Sequence, residues 1–143
     1  MIEVKKITTV ETYPIRLEVL RKNIPLPYKF GGDLNDDTFH LGAFKDKKLI
    51  AVSSYVKAEN PDLKGSQFQL RGMATLTEYQ GIGAGKLMMD KAFEILQEMK
   101  INCLWCNARV IAVPFYEKQG LKTFGSKFNI EYVGEHYVMF KNL

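Results

Sequence analysis

Residues 67–100 read QFQLRGMATLTEYQGIGAGKLMMDKAFEILQEMK, from Gln67 to Lys100, and their apolar periodicity changes partway along. In its first part Phe68, Leu70, Ala74 and Leu76 share one parity, while Gln67, Gln69, Arg71, Met73 and Thr75 share the other. A period of two predicts a strand with one more apolar face. From Leu87 the apolar positions become Leu87, Met88, Ala92, Ile95, Leu96 and Met99, the spacing of an amphipathic helix. Between strand and helix lies Gln80-Gly81-Ile82-Gly83-Ala84-Gly85-Lys86. Glycine lets the backbone turn sharply and lie against a ligand. The first N–H groups of the helix lack intrahelical partners and sit at the positive end of its dipole. The turn is therefore a prepared anion site, best suited to phosphate.

Composition narrows the class. The 143 residues fit one domain, with 46% apolar and 25% charged residues as in ordinary globular chains. No apolar run approaches about eighteen residues, and Met1 to Lys6 lacks a signal-peptide pattern, so a cytoplasmic protein without membrane association is expected. The net charge of +4 is dispersed, which argues against a nucleic-acid-binding domain. Cys103 and Cys106 form a lone C-x-x-C, only half of a four-ligand zinc set, and no metal is expected. On a strand, residues three apart face opposite sides with Cα atoms roughly 10 Å apart, so both are expected as buried thiols.

Working outward, Ile2 to Ile7 alternates as a first strand. Thr8 and Glu11 have capping-box spacing before a helical stripe of Ile15, Val19 and Leu20. Pro14 is tolerated in a first turn, which favours a helix start near Thr12. Lys22 to Asp37 has no periodicity and reads as a long loop of the kind that borders binding sites. Phe39 to Phe44 and Lys48 to Lys57 form a hairpin across Lys45-Asp46-Lys47. Ile101 to Asn107 is a strand parallel to the first, with the Gly-rich helix as crossover. Pro114 and Gly120 bracket a short helix, and Leu121 to Phe128 with Glu135 to Lys141 form a closing hairpin around Gly134.

The identity of the phosphate ligand is narrowed by elimination. G-x-G-x-x-G begun at Gly81 fails at Lys86, and G-x-x-x-x-G-K-[ST] fails at Gln80 and Leu87. The segment Gln80-Gly81-Ile82-Gly83-Ala84-Gly85 instead matches [Q/R]-x-x-G-x-[G/A] in full, and so resembles the acyl-coenzyme A loop of the GNAT N-acetyltransferase superfamily. Downstream, Asn107-Ala-Arg and Ala112-Val-Pro-Phe-Tyr116-Glu-Lys-Gln-Gly120-Leu121 is similar to the family's N-x-x-A-x-x-F-Y-x-K-x-G-F region, with Leu121 in place of phenylalanine. Gly134-Glu135-His136-Tyr137-Val138-Met139 resembles the G-P-H-x-x-M ending of small bacterial members, with Glu135 in place of proline. The resemblance spans nearly the whole chain and is clearest from Arg71 onward.

The resemblance implies an α/β GNAT fold. Its sheet is mixed and mostly antiparallel, with roughly six or seven strands flanked by helices, and the acyl-CoA lies in the splay between two central parallel strands. It implies acetyl transfer from acetyl-CoA to a small-molecule or peptide primary amine in a ternary complex. The pyrophosphate would lie on Gln80, Gly81, Ile82, Gly83, Ala84 and Gly85, with Lys86 as a nearby cation. Met73, Ala74 and Thr75 would bind the pantetheine arm through the main chain, and Asn107 would contact it. A backbone N–H in the splay would stabilise the oxyanion. Tyr116 stands where the family carries its general acid, and His136 and Glu78 are candidates on the acceptor side. Dimers are common in the family, leaving a homodimer open. The alternative is a non-catalytic acyl-CoA-binding sensor.

Overall fold

A computed structural model describes residues 1–143 as one seven-stranded sheet in the order β1-β2-β3-β4-β5-β7-β6. The strands are β1 (Ile2–Ile7), β2 (Phe39–Lys45), β3 (Lys48–Lys57), β4 (Gln67–Thr75), β5 (Cys103–Arg109), β6 (Lys122–Ile130) and β7 (Gly134–Asn142). Helix α1 (Thr9–Ile15) runs into a π-helical turn, Arg16–Leu20, while α2 (Ala84–Glu98) and α3 (Val113–Lys118) flank β5 in sequence. All neighbouring strands are antiparallel except β4 and β5, so the expected α/β architecture is present. No helix is long and apolar enough to cross a membrane.

The two faces of the sheet carry separate cores. Under α2 and α3 a large cluster includes Leu41, Ile50, Tyr55, Phe68, Met88, Leu96, Leu104, Tyr116 and Met139. Ile15 of α1 packs with Val52, Ala74 and Leu76 on the opposite face. Phe68 and Leu70 thus lie on one face while Ala74 and Leu76 lie on the other, which corrects the single apolar face expected from their shared parity. The cause is a bulge. Val52 pairs with Ala74 and Ser54 with Arg71, so Gly72 and Met73 together oppose Ser53. One extra residue reverses the alternation beyond it.

Other boundaries also move. Helix α1 begins at Thr9, with both halves of the Thr8–Glu11 capping box formed and Pro14 inside it, in place of the expected start near Thr12. Pro14 has no N–H to give the preceding turn, and the helix widens to π geometry at Arg16. On α2 the core face is Ala84, Met88, Met89, Ala92, Phe93, Ile95 and Leu96, whereas Leu87 and Met99 are exposed. β5 starts at Cys103, two residues later than expected from Ile101, because Asn102 is committed to Ser66. The Asn102 side-chain oxygen accepts from Ser66 N and Oγ, both at 3.0 Å, and Asn102 N donates to Ser66 Oγ at 2.9 Å.

The long loop between the π turn and β2 is held by a buried polar network. Arg16 is fully buried. Its Nη1 donates to Asp33 Oδ2 at 2.8 Å and Tyr28 O at 2.9 Å, and its Nη2 to Asp33 Oδ1 at 3.0 Å and Ser54 Oγ at 2.8 Å. The Phe30 ring lies 4.0 Å from the guanidinium carbon, a cation–π contact. His40 Nε2 faces the Asp33 carbonyl at 3.1 Å and must therefore carry the proton, leaving Nδ1 to accept from Ser54 Oγ at 2.7 Å. Burial alone would raise the Asp33 carboxyl, but hydrogen bonds from Arg16 and the Phe30 N–H, with the Arg16 charge, hold it below the usual carboxylate range. Burial lowers His40, against the pull of Asp33.

Two predictions follow from this network. Asp33→Ala strands a buried guanidinium and should lower the unfolding free energy by about 3–5 kcal/mol, whereas the double variant Arg16→Met/Asp33→Leu should lose much less. Denaturant melts of both decide it, and equal losses would contradict the pairing. In the folded chain His40 resists protonation, so below its ordinary value of 6.5 the unfolded chain binds the extra proton and stability falls with pH. The fall between pH 7 and 5.5 should be shallower in His40→Gln; an identical slope would contradict it.

Candidate active site

Three residue pairs join β4 to β5, the last being Gln69 with Trp105. Beyond them β4 stays with β3 through Thr75, and β5 stays with β7 through Arg109. The edge of β4 facing β5 is therefore open from Leu70 onward, where the bulge bends it away. Ser66 and Asn102 lock the closed end of this V. At its open end lies a cavity of about 510 Å³. β4 contributes Gln69 to Met73, β5 contributes Cys106 to Arg109, and α3 contributes Tyr116. The loop contributes Leu26, Pro27, Lys29, Phe30 and Gly31, and the closing hairpin contributes Ile130, Val133 and His136.

The glycine turn stands apart from the cavity, just before α2. Gly81 and Gly83 have φ of +80° and +93°, and a Cβ on either would meet nothing within 4 Å. Both need glycine for the backbone conformation itself. Gly83 is the N-cap and has no side-chain cap bond. Gln80 N donates to Thr77 O and Leu87 N to Gly83 O, but the N–H groups from Gly81 to Lys86 have no protein acceptor. A run of unpartnered donors at the start of a fifteen-residue helix fits a phosphate group. Gly85 differs: a Cβ there would lie 3.0 Å from Phe115 Cζ, so this glycine lets α3 pack on the first turn of α2. Lys86 Nζ is held by Asp90 at 2.7 Å, and the Gln80 side chain donates to Thr75 O at 3.3 Å.

Of the residues anticipated from sequence, the fold brings Met73, Asn107, Tyr116 and His136 to one cavity. Ala74 is buried in the smaller core, and Thr75 continues β4 toward the glycine turn. Glu78 sits exposed in the single turn Thr77–Tyr79 and does not line the cavity. Nothing local in the sequence marks Arg16, Asp33, Ser54, His40 or the Ser66–Asn102 lock. Their partners are distant in sequence, and a lone Arg or Asp reads as surface charge.

Tyr116 is carried on α3, whose first turn holds Pro114 and whose end is closed by Gly120 at φ +95°. Burial, with Cys106 and Tyr55 nearby, pushes its phenol well above the ordinary value. It is therefore a proton donor at neutral pH. Its hydroxyl makes no protein hydrogen bond, yet Arg16 Nε is the one solvent-excluded side-chain polar atom without a partner. The hydroxyl is thus open to the cavity it lines. His136 Nδ1 faces Gly134 O at 2.7 Å and must donate to it, which leaves Nε2 without a protein partner and likewise accessible. Burial pushes the Cys106 thiol up to about 12, and both cysteines are free and buried. Cys106 stays a thiol and is a poor nucleophile. In an alkaline absorbance titration, the difference between wild type and Tyr116→Phe should show no tyrosinate through pH 10. A step at or below pH 10 would contradict the buried phenol.

Both the sequence and the fold have counterparts among known proteins. Residues 7–121 match the Acetyltransferase (GNAT) family. The uncharacterized N-acetyltransferase YitI of Bacillus subtilis (strain 168) is 39% identical over 145 residues, covering 100% of this chain and 97% of that protein. Among solved structures, Escherichia coli ElaA superposes with a TM-score of 0.82 at 20% identity, over 99% of both chains. An acyl-CoA N-acyltransferase from Pseudomonas aeruginosa gives 0.79 at 18% identity, again over 99% of both. The structures carry the likeness of fold and the sequence matches carry the kinship: the chain belongs to the GNAT family of acetyltransferases.

Proposed function

We propose that this chain transfers an acetyl group from acetyl-CoA to a primary amine within a ternary complex. The observation that carries the reading is the parting of β4 from β5 beside the unpartnered N–H groups of Gly81 to Lys86. In this reading the glycine turn takes the pyrophosphate. The open edge at Met73, Ala74 and Thr75 takes the amides of the pantetheine arm as an added strand would, and Asn107 reaches the same arm from β5. Acetyl-CoA, when bound, supplies a thioester carbonyl open to attack by an amine.

The chain's own residues then handle the protons. Formation of the C–N bond and cleavage of the C–S bond require one proton to leave the amine and one to reach the sulfur. Tyr116 gives its phenolic proton to the sulfur, and His136 Nε2 accepts the amine's proton. Tyr116 is recharged from solvent through the cavity mouth. A protonated Cys106 beside them supports direct transfer without an acyl-cysteine. Glu78 has no role in this reading.

Thermal unfolding tests the cofactor. Acetyl-CoA or free CoA at about a hundred times its dissociation constant should add about 2.7 kcal/mol, on the order of 5–10 °C here, and ATP should not. Tyr116→Phe should retain that shift and lose about 10²–10⁴-fold in kcat with any accepted amine. A shift with ATP alone, or none, would overturn the reading. Unchanged turnover in Tyr116→Phe would remove the acid role, and CoA binding with no transfer to any amine would favour a sensor.

A further inference from the structure

We infer that the acceptor amine also carries an anionic group, a carboxylate or phosphate, and that Arg109 and Lys29 receive it. This deepens the transferase reading and rests on it. The residues lining the cavity include Arg21, Lys29, Arg71 and Arg109 and no Asp or Glu. Over the whole chain the charges are nearly balanced, 20 basic against 16 acidic. The single sign of the lining is therefore local. A partly desolvated cleft of one sign focuses its field on the opposite charge.

These cations are not neutralised from within the protein. Arg71 donates to Gly31 O and Gln69 Oε1, both at 2.7 Å, and Arg21 donates to Pro27 O at 2.9 Å and Leu20 O at 3.1 Å. All four acceptors are uncharged oxygens, so the two guanidiniums pin the loop while keeping their charge. Asp33, the carboxylate that acts on Arg71, is already engaged in two bonds with Arg16. Arg109 is exposed at the end of β5, and its side chain makes neither a hydrogen bond nor an ion pair. Lys29 Nζ makes no hydrogen bond or ion pair and lies 5.6 and 5.8 Å from the ring centroids of Tyr13 and Tyr28. Arg109 on β5 and Lys29 on the loop are the uncommitted pair in the lining.

Nor does the cofactor's pyrophosphate account for them. No residue from Gln80 to Lys86 lines this cavity, and the turn has its own donors. The lining also has a consequence for chemistry. Nearby positive charge disfavours an ammonium ion, so the entering amine is driven toward its neutral, nucleophilic form. The same charge repels acceptors with several ammonium groups. Polyamines, aminoglycosides and lysine-rich tails are excluded as preferred acceptors, and amino acids or amino-alkyl phosphates are favoured.

The test uses matched pairs that differ only in the anion. Thiol release from acetyl-CoA is measured with amino acids beside their amides, with O-phosphoethanolamine beside ethanolamine, and with spermidine. In wild type, the anionic member of the productive pair should have a KM lower by about tenfold or more. The productive pair distinguishes carboxylate from phosphate. Arg109→Gln and Lys29→Gln should shrink that ratio toward one, with Arg109→Lys restoring part of it. If no acceptor turns over, calorimetric titration of N-acetyl amino acids beside their amides, and of N-acetyl-O-phosphoethanolamine beside N-acetylethanolamine, reads the anion site alone. Preference for the neutral member or for spermidine, equal affinities within both titrated pairs, or a ratio untouched in both variants would overturn the inference while leaving the transferase reading standing. Failure to bind CoA is the distinct result that removes the transferase reading itself.

Discussion

Gly72 is the point on which the site depends. Its φ is +63°, and a Cβ there would lie 2.9 Å from Phe30 Cε2 and 3.2 Å from Arg16 Nε. At this one residue three things meet: the extra residue that bends β4 away from β5, the buried guanidinium, and the ring that begins the cavity wall. Any larger residue would face both a left-handed backbone and a collision with packed atoms. The Arg16–Asp33 pair lies directly behind. It ties Tyr28, Phe30 and Asp33 to the π-helical turn and β3, so a long stretch without regular structure becomes a fixed wall. The opening of the sheet and the placing of its lid thus share one physical cause.

That division explains what could be read from the sequence. The strand–glycine turn–helix of residues 67–98, the parallel crossover to β5, the Asp46–Lys47 hairpin turn and the Pro114–Gly120 bracket are all local patterns, and each appears where its residues dictate. The bulge was hidden because it is a property of pairing. Nothing in Arg71-Gly72-Met73 alone says that two residues will oppose Ser53, and so the parity of Ala74 and Leu76 points to the wrong face. Arg16 and Asp33 were hidden for a similar reason. They are far apart in sequence, and only a fold that buries both makes them partners rather than surface charges. Glu78 looked near the site in sequence, yet its turn points it to solvent.

The same architecture separates two anion-handling regions by their physics. The glycine turn offers unpartnered backbone N–H groups and a helix dipole, suited to a phosphate lying across the surface. The cavity offers full charges from Arg21, Lys29, Arg71 and Arg109, suited to a small acid held beside an amine. Within that cavity Tyr116 keeps its proton and His136 Nε2 has no protein partner, while the neighbouring Cys106 stays a thiol. Phenol, imidazole and cationic side chains then sit on α3, β7 and the loop and β5 walls. They are brought together because β4 and β5 separate.

In the proposed function acyl-CoA threads the gap from the glycine turn to the open edge of β4. Backbone amide shifts recorded during titration with acetyl-CoA read it residue by residue. The largest changes should fall on Gly81 to Lys86, on Met73 to Thr75 and on Asn107, with β1 and the Asp46–Lys47 turn undisturbed. Changes concentrated at β1 and that turn, or a glycine turn that does not respond while β4 does, would contradict it.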